Sequence, residues 1–360
     1  DKYIFDYVYP RTTGHIIFSS EGTTASGMAL GTDDYGNPNL TQYISVFGGP
    51  HTASGGMEGK QLTNTFDNSM IYDESKDRVG SFEWNPTSGS TIEFWLKKSG
   101  WANASQNKRE VIIDIWNQEI TSSSEYGRIT LELYNNYPDS PINLTMYSGS
   151  NSFKHLGLCP STFTTASLVD GEWHHYAVSI KSISGTGTTI DFYQDGRYLH
   201  TTSSSTYIGD IKNVTGGVNA YIGALQTATH GKSNGKGWGK LSASLDEFRY
   251  WKKKRTTNEI GEYWFINMGG GTNKREYNTD LGVYFKFNEG ITGDSTIDQN
   301  ILDYSGRISN GIMVGYTASA RSTESAFESL TNVEEYKDPI IYSSHPTVSS
   351  SLATYKTTGS

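Results

Sequence analysis

The chain has 360 residues, a formal net charge of −9 and one cysteine, Cys159. Excess negative charge disfavours non-specific nucleic-acid binding, and a lone cysteine excludes an intramolecular disulfide framework or a multi-cysteine metal site. No run approaches the roughly 18 apolar residues of a membrane-spanning helix, so membrane insertion is not expected.

In chain order, residues 1–60 read as an extension with short strands, at Tyr3 to Tyr9 and His15 to Phe18, among Gly-, Thr-, Ser- and Asn-rich loops. The first residue is Asp rather than Met, which is expected of a processed product or of a piece of something longer. From about residue 60 the rhythm becomes regular. Thr91 to Leu96 alternates polar and apolar side chains, putting Ile92, Phe94 and Leu96 on one face of a strand. Val111 to Trp116 follows, then Arg128 to Tyr134 with Ile129, Leu131 and Leu133 sharing a face. Ile142 to Tyr147 pairs with that strand through the turn at Asn135 to Asp139.

His174 to Ile180 and Thr189 to Tyr193 come next. Asp195-Gly196 then leads into Arg197 to Thr201 as a hairpin with a primed-type turn. Ala220 to Gly223 and Leu241 to Trp251 complete the series, which specifies a β-sandwich. Thr257 to Phe265 is the one helix-like stretch, capped by Thr256 or Thr257, with Ile260, Tyr263 and Trp264 on one side. A Gly/Asn-rich connector and a further strand, Leu281 to Asn288, precede a Ser/Thr-rich tail whose obvious anchor is Asp338 to Tyr342. The implied organisation is an extension over 1–60, a sandwich over 61–266, a connector with an added strand over 267–317, and an extended polar tail over 318–360.

Several segments together resemble the laminin G-like, concanavalin A-like jelly-roll family. Gly89-Ser-Thr-Ile-Glu-Phe-Trp-Leu96 is similar to its early core strand. Val169-Asp-Gly-Glu-Trp-His-His-Tyr-Ala-Val178 is similar to its turn-and-strand signature, and Ile190-Asp-Phe-Tyr-Gln-Asp-Gly-Arg197 to the hairpin that follows. Leu245-Asp-Glu-Phe-Arg-Tyr-Trp251 with Thr256 to Ile260 resembles the closing strand and short helix. The resemblance implies an all-β, concanavalin A-like jelly-roll β-sandwich over about residues 60–265, with one short helix and extended terminal segments. The stretches Asp280 to Gly290 and Leu302 to Gly311, with the Asp338-Pro-Ile-Ile-Tyr342 tail, are also similar to virion structural proteins of large tailed phages, notably those infecting marine cyanobacteria.

Relatives that cleave glucans carry alternating carboxylates as Glu-x-Asp-x-x-Glu, which divide the acid and nucleophile roles. Asp114 to Glu119 approaches this pattern but has one carboxylate too few and the wrong spacing. Asp246 and Glu247 are adjacent and are expected on opposite faces of a strand. His174 and His175 should likewise diverge, one core-side and hydrogen-bonded and the other exposed. No catalytic residue is therefore assigned. The family resemblance implies no required cofactor but allows a structural calcium, with Asp246 and either Asp67 or Asn68 as ligands; Asp246 reads equally as a cap on backbone amides. Trp238 and Trp101, with Asn234, are candidates for stacking on and bonding to a sugar, although either Trp also reads as a lid on the sandwich rim. Lys252 to Arg255 reads as a solvated turn.

Three functions follow. The leading expectation is a non-catalytic virion structural or decoration protein, a homo-oligomer on a virion surface or outside a cell, using its long polar ends to bind neighbouring subunits. The alternative is an adhesion module that binds host surface glycans. A glycan-active enzyme ranks third for want of carboxylates.

Overall fold

The computed structural model describes residues 14–18, 42–48, 80–101, 109–119, 123–135, 140–211, 218–227, 239–266, 268, 280–305 and 309–326. Among them, the strands form two antiparallel, eight-stranded sheets packed face to face as a concanavalin A-like jelly-roll sandwich. The first sheet runs, in spatial order, β10 (Arg197–Ser204), β9 (Gly187–Gln194), β8 (Trp173–Ile183), β3 (Ser90–Lys97), β12 (Ala243–Trp251), β1 (His15–Phe18) and β16 (Arg321–Ser322). Strand β13 (Leu281–Phe285) shares one flank of β12 with β1, pairing further along it. The second sheet runs β14 (Asn300–Ile301), β15 (Gly311–Val314), β2 (Tyr43–Phe47), β11 (Asn219–Ile222), β4 (Arg109–Trp116), β5 (Gly127–Tyr134), β6 (Ile142–Ser148) and β7 (Asn151–Gly157). Among the described residues, short α-helices join them: α1 (Thr165–Leu168), α2 (Thr257–Tyr263) and α3 (Ser295–Asp298).

Strand alternation builds the core. Ile92, Phe94 and Leu96 of β3 meet Ile129, Leu131 and Leu133 of β5 and Ile142, Leu144 and Met146 of β6 in one buried cluster. Burying each such side chain contributes about 1.5–3 kcal/mol. The expected strands in the region 90–285 are present, and the Asp195-Gly196 turn has both residues at positive φ (49° and 73°), as a type I′ turn requires. A Cβ on Gly196 would come within 2.3 Å of the Trp264 ring, so this hairpin also needs glycine for close approach.

The described strands of the terminal regions are parts of the sandwich. Ile16 and Phe18 of β1, Ile44 and Val46 of β2, and Met313 of β15 all enter the main core. β1 lies between β12 and β16, and β2 lies between β15 and β11. Strands β2, β7 and β15 are short or weakly alternating, which is why sequence periodicity did not mark them. Tyr3 to Tyr9 and Asp338 to Tyr342 lie outside the described residues.

Helix α2 forms where expected. Thr256 accepts from the Glu259 amide at 3.3 Å while Glu259 accepts from the Thr256 amide at 2.7 Å, a reciprocal capping box. Its Ile260 packs on Ala177 and Tyr193, and the residue that follows it, Trp264, stacks on Trp95 with ring centroids 5.2 Å apart. The helix thereby covers the outer face of the first sheet.

Candidate functional site

The two sheets carry different outer faces. On the first, Glu93, His175 and Arg249 are buried together, with Glu93 ion-paired to Arg255 and its other oxygen 3.7 Å from both Arg249 and His175. Burial opposes ionisation of Glu93, but the Arg255 charge and the neighbouring His175 and Arg249 hold its carboxyl at about 2. His175 lies between Trp95 and Trp264, and burial lowers its pKa. The expectation of one exposed histidine in this pair therefore fails, because α2 roofs the strand face on which His175 stands. His174, at the sheet end, is held between Asp195 and Asp170 at 2.8 Å each, and these hydrogen bonds raise its pKa to about 9.

Asp246 and Glu247 also depart from simple alternation. The β12–β3 register shifts between Asp246 and Arg249, and Glu247 adopts φ +50°, so a bulge inserts an extra residue. Both carboxylates consequently lie among the buried outer-layer groups. Glu247 pairs with Arg249 at 2.9 Å and accepts from the Tyr284 hydroxyl. Asp246 accepts from the Glu247 amide at 2.8 Å, the Ser325 hydroxyl at 2.8 Å and the Ala326 amide at 2.9 Å, and burial pushes its carboxyl well above the usual range. These bonds tie the chain at 325–326 to the closing strand. No group of three or more His, Cys, Asp or Glu suited to a metal ion occurs among the described residues. Asp67, Asn68, Trp238 and Asn234 lie outside them.

Trp101 packs against the core edge with the Lys98 ammonium 4.5 Å from its ring centroid, and Lys98 pairs with buried Glu110 at 2.7 Å. Of the basic run, Lys253 meets Glu259 and Asp280, Lys254 meets Asp191, and Arg255 meets Glu93. Cys159 is buried, and burial pushes its thiol up to about 12.

The outer face of the second sheet was not singled out in the sequence. The same alternation that sends Ile129, Leu131 and Leu133 inward sends Arg128, Thr130 and Glu132 outward. Cross-strand register then aligns rows: Asn219, Trp116, Arg128 and Tyr147 in one, and Tyr221, Asp114, Thr130 and Thr145 in the next. Arg128 grips Asp114 through two bonds of 2.7 and 2.6 Å, and Asp114 also accepts from Thr130 at 2.9 Å and the Gln226 amide at 2.8 Å. This centre is saturated and rigid.

Aromatic rings flank it. Tyr126 stands edge-on to Tyr147 at 5.3 Å and tilted to Trp116 at 6.4 Å, with the Arg128 guanidinium 5.8 Å from the indole. On the far side Tyr43 stacks on Tyr221 at 4.5 Å, with the Lys240 ammonium 5.1 Å from the Tyr43 ring. Burial raises the Tyr126 and Tyr147 phenols, which keeps both neutral. Further along β5, Glu132 is 1% exposed, with His155 at 3.4 Å and Arg109 at 3.7 Å from one carboxylate oxygen. Asn143 is buried beside it.

A family model described as the concanavalin A-like lectin/glucanases superfamily matches residues 74–261. The chain belongs to this superfamily. Among solved structures, a candidate carbohydrate-binding protein from Bacteroides ovatus is 16% identical, with a TM-score of 0.43, over 87% of this chain and 60% of that one. The chain thus spans 60% of the length of the Bacteroides protein. A heptameric SAP-like pentraxin from Limulus polyphemus is 12% identical over 73% of this chain and 85% of that one, with a TM-score of 0.34. The CBM40 of a Ruminococcus gnavus IT-sialidase is 12% identical over 49% of this chain and 82% of that one, with a TM-score of 0.29. No curated protein matches the sequence.

Proposed function

We propose that this superfamily member is a non-catalytic carbohydrate-binding module whose ligand lies on the outer face of the second sheet. The arrangement of aromatic rings around a saturated Asp114–Arg128 centre carries this reading. Aromatic faces give apolar area with defined geometry, while a fixed polar centre orients hydroxyl groups without reorganising. A retaining glycosidase needs two carboxyl groups about 5–5.5 Å apart, one free to donate a proton and one to attack. Asp114 suits neither role, since Arg128, Thr130 and Gln226 occupy both of its oxygens.

The expectation of a virion assembly role drew on polar ends unable to bury themselves. The described parts of those ends enter the sandwich as β1, β2 and β16, which weakens that ground. A glycan array followed by calorimetry tests the binding reading. Glycans should bind, and Tyr147→Ala, which removes a half-buried ring, should weaken binding about tenfold or more. Failure of every glycan to bind the folded protein would reject it.

A further inference from the structure

On the outer face of the second sheet, several buried polar atoms make no hydrogen bond. Among the described residues, neither carboxylate oxygen of Glu132 accepts a hydrogen bond, nor do Asn143 Oδ1 and Asn219 Oδ1, and Trp116 Nε1 donates none. Glu132 and Asn143 are opposite neighbours on β5 and β6, and Asn219 and Trp116 on β11 and β4. The Asn143 amide nitrogen donates to Ser140 O at 3.1 Å, which orients its oxygen away from that bond. Leaving such groups buried without partners is costly, so each of them favours a ligand that completes it.

We infer that these two corners select a neutral sugar chain that donates hydroxyls to Glu132 and Asn143 and meets Trp116 and Asn219 with hydroxyls at its other end; this rests on the carbohydrate-binding reading above. The acceptors need a donor, and the indole needs an acceptor. An ammonium only donates and a carboxylate or sulfate only accepts, whereas a hydroxyl does both. Charge points the same way. An anionic sugar meets the Glu132 carboxylate, and the ammonium of an amino sugar has to compete with the Arg109 guanidinium, which already lies 3.7 Å from that carboxylate. Arg109 and His155, with side chains 17% and 22% exposed, form the cover over Glu132. A ligand that reaches Glu132 has to displace these two side chains. Glu132 is four residues along β5 from Arg128, the partner of Trp116, which is about 14 Å at the rise of an extended strand. The ligand is therefore a chain of sugars lying along β5 and β6, longer than a single ring.

The test is an array in which each neutral oligosaccharide is printed beside its amino-sugar and uronic-acid counterparts, and at lengths from one sugar upward. Binding confined to neutral chains, at least tenfold tighter for the trisaccharide than the monosaccharide, is expected. Binding that favours the charged forms, or is equally tight for monosaccharides, overturns this inference and leaves the binding reading standing. Silence across the array overturns both. On the best neutral chain, Glu132→Gln and Trp116→Phe should each weaken binding, by at least tenfold and threefold. Wild-type affinity in both folded variants, with Tyr147→Ala still impaired, overturns the inference alone. If Glu132→Gln does not fold, Trp116→Phe and the wild-type array decide it.

Discussion

On the first sheet the outward charges Glu93, Arg249 and Glu247 lie beneath α2 and the chain that follows it, where Arg249 also reaches the Tyr263 and Ile266 carbonyls. On the second sheet Asp114, Arg128 and Glu132 share their face with rings from the same sheet, among them Tyr147 and Tyr221, which remain partly exposed. Both faces follow from strand alternation, and both bury ion pairs. The difference lies in what the polar layer meets. Where a helix roofs it, the layer cements two parts of one chain. Where it ends in rings and unpartnered acceptors, it suits a ligand.

The roofed face is most sensitive at Arg249. Arg249→Ala strands Glu247 and removes a neighbour of Glu93, and should cost about 3–5 kcal/mol in urea unfolding. Any loss of glycan affinity should track the folded fraction. A direct loss of affinity in fully folded protein would mean that the two faces are not separate in role. Gly196→Ala acts on the same roof from the hairpin side, since its Cβ meets the Trp264 ring at positive φ. A destabilisation of about 1–3 kcal/mol is expected from chemical denaturation.

At the end of the first sheet, the folded pKa of His174 is raised to about 9 from 6.5. The sign follows from linkage: the stabilisation is full below pH 6.5 and is lost as pH rises through 9. With solvent screening at the partly exposed Asp170, it amounts to about 1–2 kcal/mol. His174→Gln should therefore be less stable than wild type by that amount at pH 6, with the gap closing by pH 10. A gap that persists unchanged across this range would show that the two aspartates do not act through the imidazolium charge. The smallest effect is at the helix cap, where Thr256→Ala should lower stability by about 1 kcal/mol and leave glycan binding unchanged.

Much of the fold was legible because its signals are local. Alternation in β3 and β5, the Asp-Gly turn at 195–196 and the Thr256–Glu259 capping box each involve residues a few positions apart. The candidate face was half legible. Arg128, Thr130 and Glu132 stand at the outward positions of a strand that was read from its inward leucines and isoleucine. The partnership of Asp114 with Gln226 and Thr130 could not be read, because it depends on which strands are neighbours.

The all-β class and the inward half of most strands were legible locally, since side-chain period and turn chemistry act at short range, while the jelly-roll family was legible as a resemblance of four strand motifs. The burial of His175 and the bulge that puts Asp246 and Glu247 in one layer are set by tertiary packing. Tertiary packing also decided that β1 and β2 complete the two sheets. Each of these depends on what packs across from a residue, and a strand's own pattern says which way a side chain points but not what it meets.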